Sequence, residues 1–243
     1  MQIAIVLYPG VTALDAIGPY EVLRLLPDAD VRFVGAEPGP VVADGNVLLL
    51  GVTHTYAETP APDIVLVPGS TPRTATMMAD RQLISWLQTV HQTTRWTTSV
   101  CSGAMILASA GILGGLPATT HWYVQSGLAA LGAKPRREER VVRQGKVATA
   151  AGVSAGIDLA LWLAGEIAGR EHAETIQLLI EYDPQPPFDS GHASKASPPV
   201  IDAAKTLLRK NALNFSEIRA YPTIAWRRTI DAFRKRQGLH DQG

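Results

Sequence analysis

Cysteine is almost absent from this chain: 243 residues carry one, Cys101. That excludes an intramolecular disulfide and any Cys-rich metal site. Neither sign of charge predominates, with Lys plus Arg and Asp plus Glu at 22 each. No global charge therefore argues for a nucleic-acid or membrane-surface partner. Internal repeats and metal-spaced His/Cys clusters are missing, so no residue pattern points to a bound metal. A bilayer-spanning run is missing too. The least polar region, from Val100 to Leu116, is crossed by Gly103, Gly111, Gly114 and Gly115 and reads as a buried helix and loop. The first ten residues lack a basic region ahead of their short apolar run, so they read as a first strand rather than a signal peptide. The expectation is a cytoplasmic protein, in a reducing compartment that keeps a thiol free.

What is present is 46% apolar residues, enough for one large α/β domain or a domain with an appendage. Short continuous apolar runs, Ile3 to Leu7 and Ile64 to Val67, mark strands covered on both faces. Helical spacing follows each of them, over Leu14 to Leu26 and Met78 to Thr93. Asp44-Gly45-Asn46 and Gln144-Gly145 sit between strand-like stretches as hairpin turns. An almost wholly apolar segment, Ile157 to Ile167, predicts a buried helix, with Ser154 as its N-cap. Helices are further expected around Tyr123 to Leu131, Thr175 to Glu181 and Ser197 to Ala212. This alternation predicts a flavodoxin-like three-layer sandwich around a mostly parallel sheet. Pro184, Pro186, Pro187 and Gly191 close a compact domain over residues 1–190. A helical extension with a basic tail follows over 191–243. Arg219, Arg227, Arg228, Arg234, Lys235 and Arg236, interleaved with aromatics, read as a solvated tail ahead of a nucleic-acid patch.

The chemistry concentrates around Cys101. Trp96 to Val100 is a β-branched, aromatic strand, and Ala104 to Ala110 is a good helix, with Ser102 and Gly103 at the junction. A strand that turns sharply into a helix with one side chain at the corner is a nucleophile elbow. The positive end of the following helix should lower the thiol pKa there. Asp15 follows the first strand, at the strand end where open α/β sheets bind ligands. Gly69-Ser70 forms a Gly-rich turn after a strand, able to aim amides at an anion. His121 lies twenty residues beyond the cysteine. Spacing alone leaves the bland alternatives open: an inert buried thiol, a helix-start carboxylate, a plain loop, and a helix-start histidine.

Five segments together resemble the ThiJ/PfpI superfamily, and within it the branch that hydrates isonitriles. They are Leu14-Asp15-Ala-Ile-Gly-Pro, Val67-Pro-Gly-Ser, Ser99-Val-Cys101-Ser-Gly, Ala118-Thr-Thr-His-Trp122 and Ala155-Gly-Ile-Asp158, and the segment Glu181 to Phe188 is similar as well. The resemblance covers residues 1–204. It implies a cofactor-independent lyase in which Cys101 forms a covalent thioimidate and Asp15 acts as general acid and base. Ser102 assists, the amides of Gly69, Ser70 and Ser102 hold charge, and His121 stands near the substrate. Asp15 sides with the hydratases, where much of the superfamily has Glu. Ser102 stands where the protease-like and glyoxalase-like branches often carry His, and where the hydratases carry Thr. A homodimer is also implied. The alternatives are a sensor domain like that of AraC-type regulators, a cysteine-dependent glyoxalase or hydrolase, and a redox sensor working by oxidation of an exposed thiol. The tail beyond Asn214 does not resemble the hydratase ending.

Overall fold

The computed structural model describes residues 1–212. β1 (Gln2–Val6) passes through the Pro9-Gly10 turn into α1 (Ala13–Leu23). After β2 (Asp30–Gly35) come a hairpin, β3 (Gly39–Val42) and β4 (Leu49–Val52), and the short β5 (His54–Thr55). β6 (Ile64–Val67) leads to α2 (Thr74–Ala79) and α3 (Arg81–Thr93). β7 (Trp96–Val100) turns into α4 (Gly103–Ser109). Next are β8 (Pro117–Ala118), a 3-10 turn over Trp122–Val124, α5 (Gln125–Ala130) and β9 (Lys134–Pro135). β10 (Val141–Gln144) and β11 (Val147–Ala150) precede α6 (Ala155–Ala168) and α7 (Arg170–Leu179). An irregular stretch over residues 181–197 then reaches α8 (Pro198–Ala212).

The main sheet runs β10-β11-β7-β6-β1-β2-β5. All its pairings are parallel except β10 with β11. Its centre is as apolar as a doubly covered sheet requires: Ile3 to Val6 and Ile64 to Val67 have no exposed surface. Burying each such Ile or Leu is worth about 1.5–3 kcal/mol. The helices fall into two packed groups, α1 with α6 and α7, and α2 with α3 and α4. This is the expected flavodoxin-like sandwich. In chain order the core strands read 2-1-3-4-5, so the order reverses between β1 and β6. Loops leaving the carboxyl ends of β1, β6 and β7 therefore meet at one place, where the loops bearing Asp15, Gly69 and Cys101 converge.

Local differences from the expectation have local causes. The helix expected over Met78 to Thr93 starts earlier, at Thr74, and breaks at Asp80, whose carboxylate caps α3 by accepting from the Leu83 N–H at 2.9 Å. Apolar periodicity continues through that break, which hid it. The helix expected from Thr175 begins at Arg170, directly after Gly169 at φ +87°. Ser154 stands at the start of α6, yet its hydroxyl caps nothing. It accepts from the Arg140 guanidinium at 3.2 Å instead. The basic stretch from Arg219 to Arg236 lies outside the described residues.

Candidate active site

Cys101 sits at the corner between β7 and α4 with φ +57°. A non-glycine residue in the left-handed region costs about 1 kcal/mol or more and persists only where its surroundings enforce it. Here the Cys101 N–H bonds the Ala150 carbonyl at 3.2 Å, and the Cys101 carbonyl accepts from the Thr120 hydroxyl at 2.8 Å. Gly103 makes the turn possible. A Cβ there would lie 2.0 Å from the Val67 carbonyl oxygen, so only glycine lets the elbow close onto the end of β6.

Asp15, in the first turn of α1, is fully buried. Its Oδ2 accepts from the Gly69 N–H at 2.9 Å, while Oδ1 has no hydrogen-bond partner. The Cys101 thiol is the neighbouring side chain that interacts with this carboxyl, lowering the Asp15 pKa while its own is raised. Burial pushes the Asp15 pKa up to about 7, with the Gly69 N–H and the thiol offsetting part of the rise and the Asp44 charge adding to it.

The thiol departs from expectation. Burial pushes its pKa well above the ordinary value, the Asp15 charge adds to the rise, and the Ser102 N–H and hydroxyl pull it partly back. At 7% exposure Cys101 is neither the exposed nor the acidic cysteine expected of a redox sensor. α4 has only seven residues, and desolvation outweighs its dipole. The pair therefore rests as a neutral thiol beside a carboxyl that titrates near neutrality.

Ser102 is buried beside the thiol. Its hydroxyl donates to the Ser70 carbonyl at 3.2 Å, accepts from the Ser70 N–H at 3.0 Å and meets the Thr74 hydroxyl at 2.7 Å. It reaches the thiol but makes no hydrogen bond to Asp15. The amides of Gly69 and Ser70 are consequently both engaged, by Asp15 and by Ser102, and act as clamps rather than free anion donors. Gly69 is also sterically required, because a Cβ would fall 2.6 Å from the Ser102 nitrogen. Of the three amides expected to hold charge, the Ser102 N–H alone is directed at the sulfur.

His121 lies at the start of the 3-10 turn. Its Nδ1 accepts from the Tyr123 N–H at 3.4 Å, capping the 3-10 turn, its ring lies 5.7 Å from that of Trp122, and burial lowers its pKa. His121→Ala should keep turnover within about tenfold of the parent, since no hydrogen bond ties the ring to the thiol or Asp15. A hundredfold loss in a steady-state assay of folded protein would return it to the reacting groups.

Sequence reasoning missed Thr120 and Thr74, whose hydroxyls fix the elbow carbonyl and Ser102. Thr120 lay inside a quoted motif, but nothing in its neighbours marks which way its hydroxyl points. A groove of about 560 Å³, lined by Gly10, Asp44, Asn46, Arg73 and Lys210 among others, runs beside these loops; Cys101 does not line it. No group of three or more metal-ligating side chains converges among the described residues, and none of their helices is long and apolar enough to cross a membrane.

The sheet order, the left-handed elbow cysteine and the carboxyl at the switch point define an α/β protein built around one thiol. The chain belongs to the DJ-1/PfpI family, whose profile matches residues 1–166. Over 205 residues, 84% of this chain and 89% of the relative, it is 42% identical to a protein of Pseudomonas putida named isonitrile hydratase. The crystal structure of a ThiJ/PfpI family protein from Pseudomonas syringae superposes with a TM-score of 0.83 at 34% identity, covering 92% of this chain and 90% of that one. Drosophila melanogaster DJ-1beta shares the fold, with a TM-score of 0.69 at 19% identity over 75% of this chain and 98% of its own.

Proposed function

We propose that this protein hydrates isonitriles, converting R–N≡C into the N-substituted formamide R–NH–CHO. The observation that carries the reading is the buried Asp15 carboxyl, with one unpartnered oxygen, beside the only thiol in the chain. An isonitrile carbon must gain both a nucleophile and a proton. The pair supplies both. Ionised Asp15 takes the Cys101 proton, and the sulfur attacks the terminal carbon as the Ser102 N–H holds its charge. Asp15 then returns the proton to that same carbon, leaving the thioimidate Cys101–S–CH=N–R. Next, Asp15 draws a proton from water as the oxygen adds, and the proton passes to nitrogen. Breaking the C–S bond returns the proton of the new hydroxyl to sulfur, releases the formamide and restores the thiol.

A carboxyl near pKa 7 suits this exchange, because it accepts and donates at neutral pH with little driving force lost either way. The steps draw on no metal or organic cofactor. The identity to the Pseudomonas putida relative supports the choice of substrate over glyoxals or peptides. The expected setting is cytoplasmic and the expected assembly a homodimer, which light scattering would test.

The test is turnover of an aryl and an alkyl isonitrile to their formamides by the parent and by Cys101→Ala. The expected result is formamide from the parent and none above background from the variant. Turnover should also fall as pH drops through about 7, where protonation of Asp15 removes the acceptor for the thiol proton. Folded, reduced parent protein that turns over no isonitrile would overturn the assignment, and glyoxal substrates and duplex DNA binding would be tested next.

A further inference from the structure

We propose that Asp44, carried on the β3–β4 hairpin, is a positioning residue for Asp15 and acts through Thr12. The inference rests on the reading of Asp15 as the proton carrier of the site. Thr12 precedes α1 and ties three elements together. Its N–H donates to the Gly69 carbonyl at 3.0 Å, its carbonyl accepts from the Asp15 N–H at 3.0 Å, and its hydroxyl donates to Asp44 Oδ2 at 2.6 Å. The hairpin is latched to the same loop by two backbone bonds, Gly10 N–H to the Val42 carbonyl at 2.7 Å and Asp44 N–H to the Val11 carbonyl at 3.0 Å.

The consequence is a closed circuit. Gly69 holds Asp15 Oδ2 through its N–H and Thr12 through its carbonyl, and Thr12 in turn holds the backbone of Asp15. Asp44 fixes Thr12 from outside that circuit, with a charge-assisted bond of the stronger kind. An amide would accept the same hydroxyl, so the tie alone does not require a carboxylate. Its extra property is negative charge close to Asp15, which favours the protonated acid there and so helps to keep Asp15 near neutrality. The charged and titratable groups around the circuit include Cys101 from the elbow, Asp44 from the hairpin, Tyr8 after β1, whose hydroxyl donates to the Pro68 carbonyl at 2.8 Å, and Arg73 and Lys210, which line the groove that Asp44 also lines. Asp44 therefore helps to fix the place of Asp15 and adds a smaller push to a pKa that burial chiefly raises.

Two variants separate these contributions, Asp44→Asn, which keeps an acceptor for Thr12 but loses the charge, and Thr12→Val, which keeps the charge but cuts the tie. The readout is the pH dependence of Cys101 alkylation by iodoacetamide, followed by intact mass, alongside isonitrile kinetics. In the parent, alkylation should rise through about pH 7 as Asp15 becomes able to accept the thiol proton. Asp44→Asn should move that inflection down by at least about 0.3 pH unit, the scale of one unit charge acting across several ångströms of wet protein. Thr12→Val should lower kcat about tenfold or more with KM nearly unchanged, as loss of alignment at the reacting centre does. An unmoved inflection in folded Asp44→Asn overturns the electrostatic role, and an unchanged kcat in folded Thr12→Val overturns the positioning role. The alkylation profile needs no isonitrile, so a parent that hydrates none but still shows the shift would sink the substrate assignment and leave the role of Asp44 standing.

Discussion

Asp15→Asn is expected to cut isonitrile turnover about a thousandfold or more while making the protein harder to unfold at neutral and alkaline pH. The two effects share one cause. The folded state raises the Asp15 pKa from 3.8 to about 7 through burial. Above that pH the carboxyl is ionised in an environment that disfavours charge, at a cost of at most about 4 kcal/mol of folding free energy. A raised pKa contributes stability in full below the unfolded value, and the contribution is lost as pH rises through about 7. Asparagine is neutral throughout and keeps an oxygen for the Gly69 N–H, so it escapes that cost. It can neither take the thiol proton nor return it to carbon. The check is urea unfolding of parent and variant at about pH 4 and about pH 8, with turnover measured on the same samples. The advantage of the variant should be small in acid and largest in alkali. Loss of activity and of stability together at the higher pH would make Asp15 a structural residue.

Gly103→Ala carries the largest structural penalty. Its new Cβ would meet the Val67 carbonyl oxygen at 2.0 Å, the Val67 carbonyl carbon at 2.9 Å and the Pro68 carbonyl carbon at 3.0 Å. All three are backbone atoms of the β6 exit, so no side chain can swing aside. Relief requires moving α4 away from the sheet, which would open the packing of Ala104, Ile106 and Leu107, all fully buried. The expected loss is at least about 3 kcal/mol, at the upper end for overpacking, or failure to accumulate folded protein. Gly114→Ala is the control, since its Cβ meets nothing closer than the Gly111 carbonyl oxygen at 3.6 Å. Denaturant midpoints should separate the two variants widely. A Gly103→Ala protein as stable and as active as Gly114→Ala would show that the elbow is not packed as described.

The elbow and the switch-point carboxyl were legible in the chain because each is written locally. Trp96 to Val100 reads as a strand and Ala104 to Ala110 as a helix, so Cys101 has to fall between them. Asp15 follows an apolar strand whose carboxyl end is a ligand position in any such sheet. The behaviour of these residues was not legible, because it depends on what other loops bring to them. A helix N-terminus suggested an acidic thiol, and the burial of Cys101 in the folded chain reverses that by desolvation. The Gly69-Ser70 turn suggested free amides, whereas Asp15 and Ser102, far away in sequence, already occupy them. The Thr12–Asp44 bond spans 32 residues and two elements, and no periodicity or motif marks it. The break at Asp80 was hidden by apolar spacing that runs through it, since a capping carboxylate looks like any exposed residue of a helix.

The measurement that tests the central claim most directly is the mass of the protein during turnover. The parent, mixed with excess aryl isonitrile and quenched in acid within the first turnovers, would be digested and its peptides weighed. Addition of the thiol across the isonitrile carbon adds the whole mass of one isonitrile, with no atom lost. The mechanism predicts that increment on the peptide containing Cys101, absent from Cys101→Ala, and rising and decaying no more slowly than formamide forms. Formamide released at the parent rate by Cys101→Ala, or an increment found only on other peptides, would contradict it.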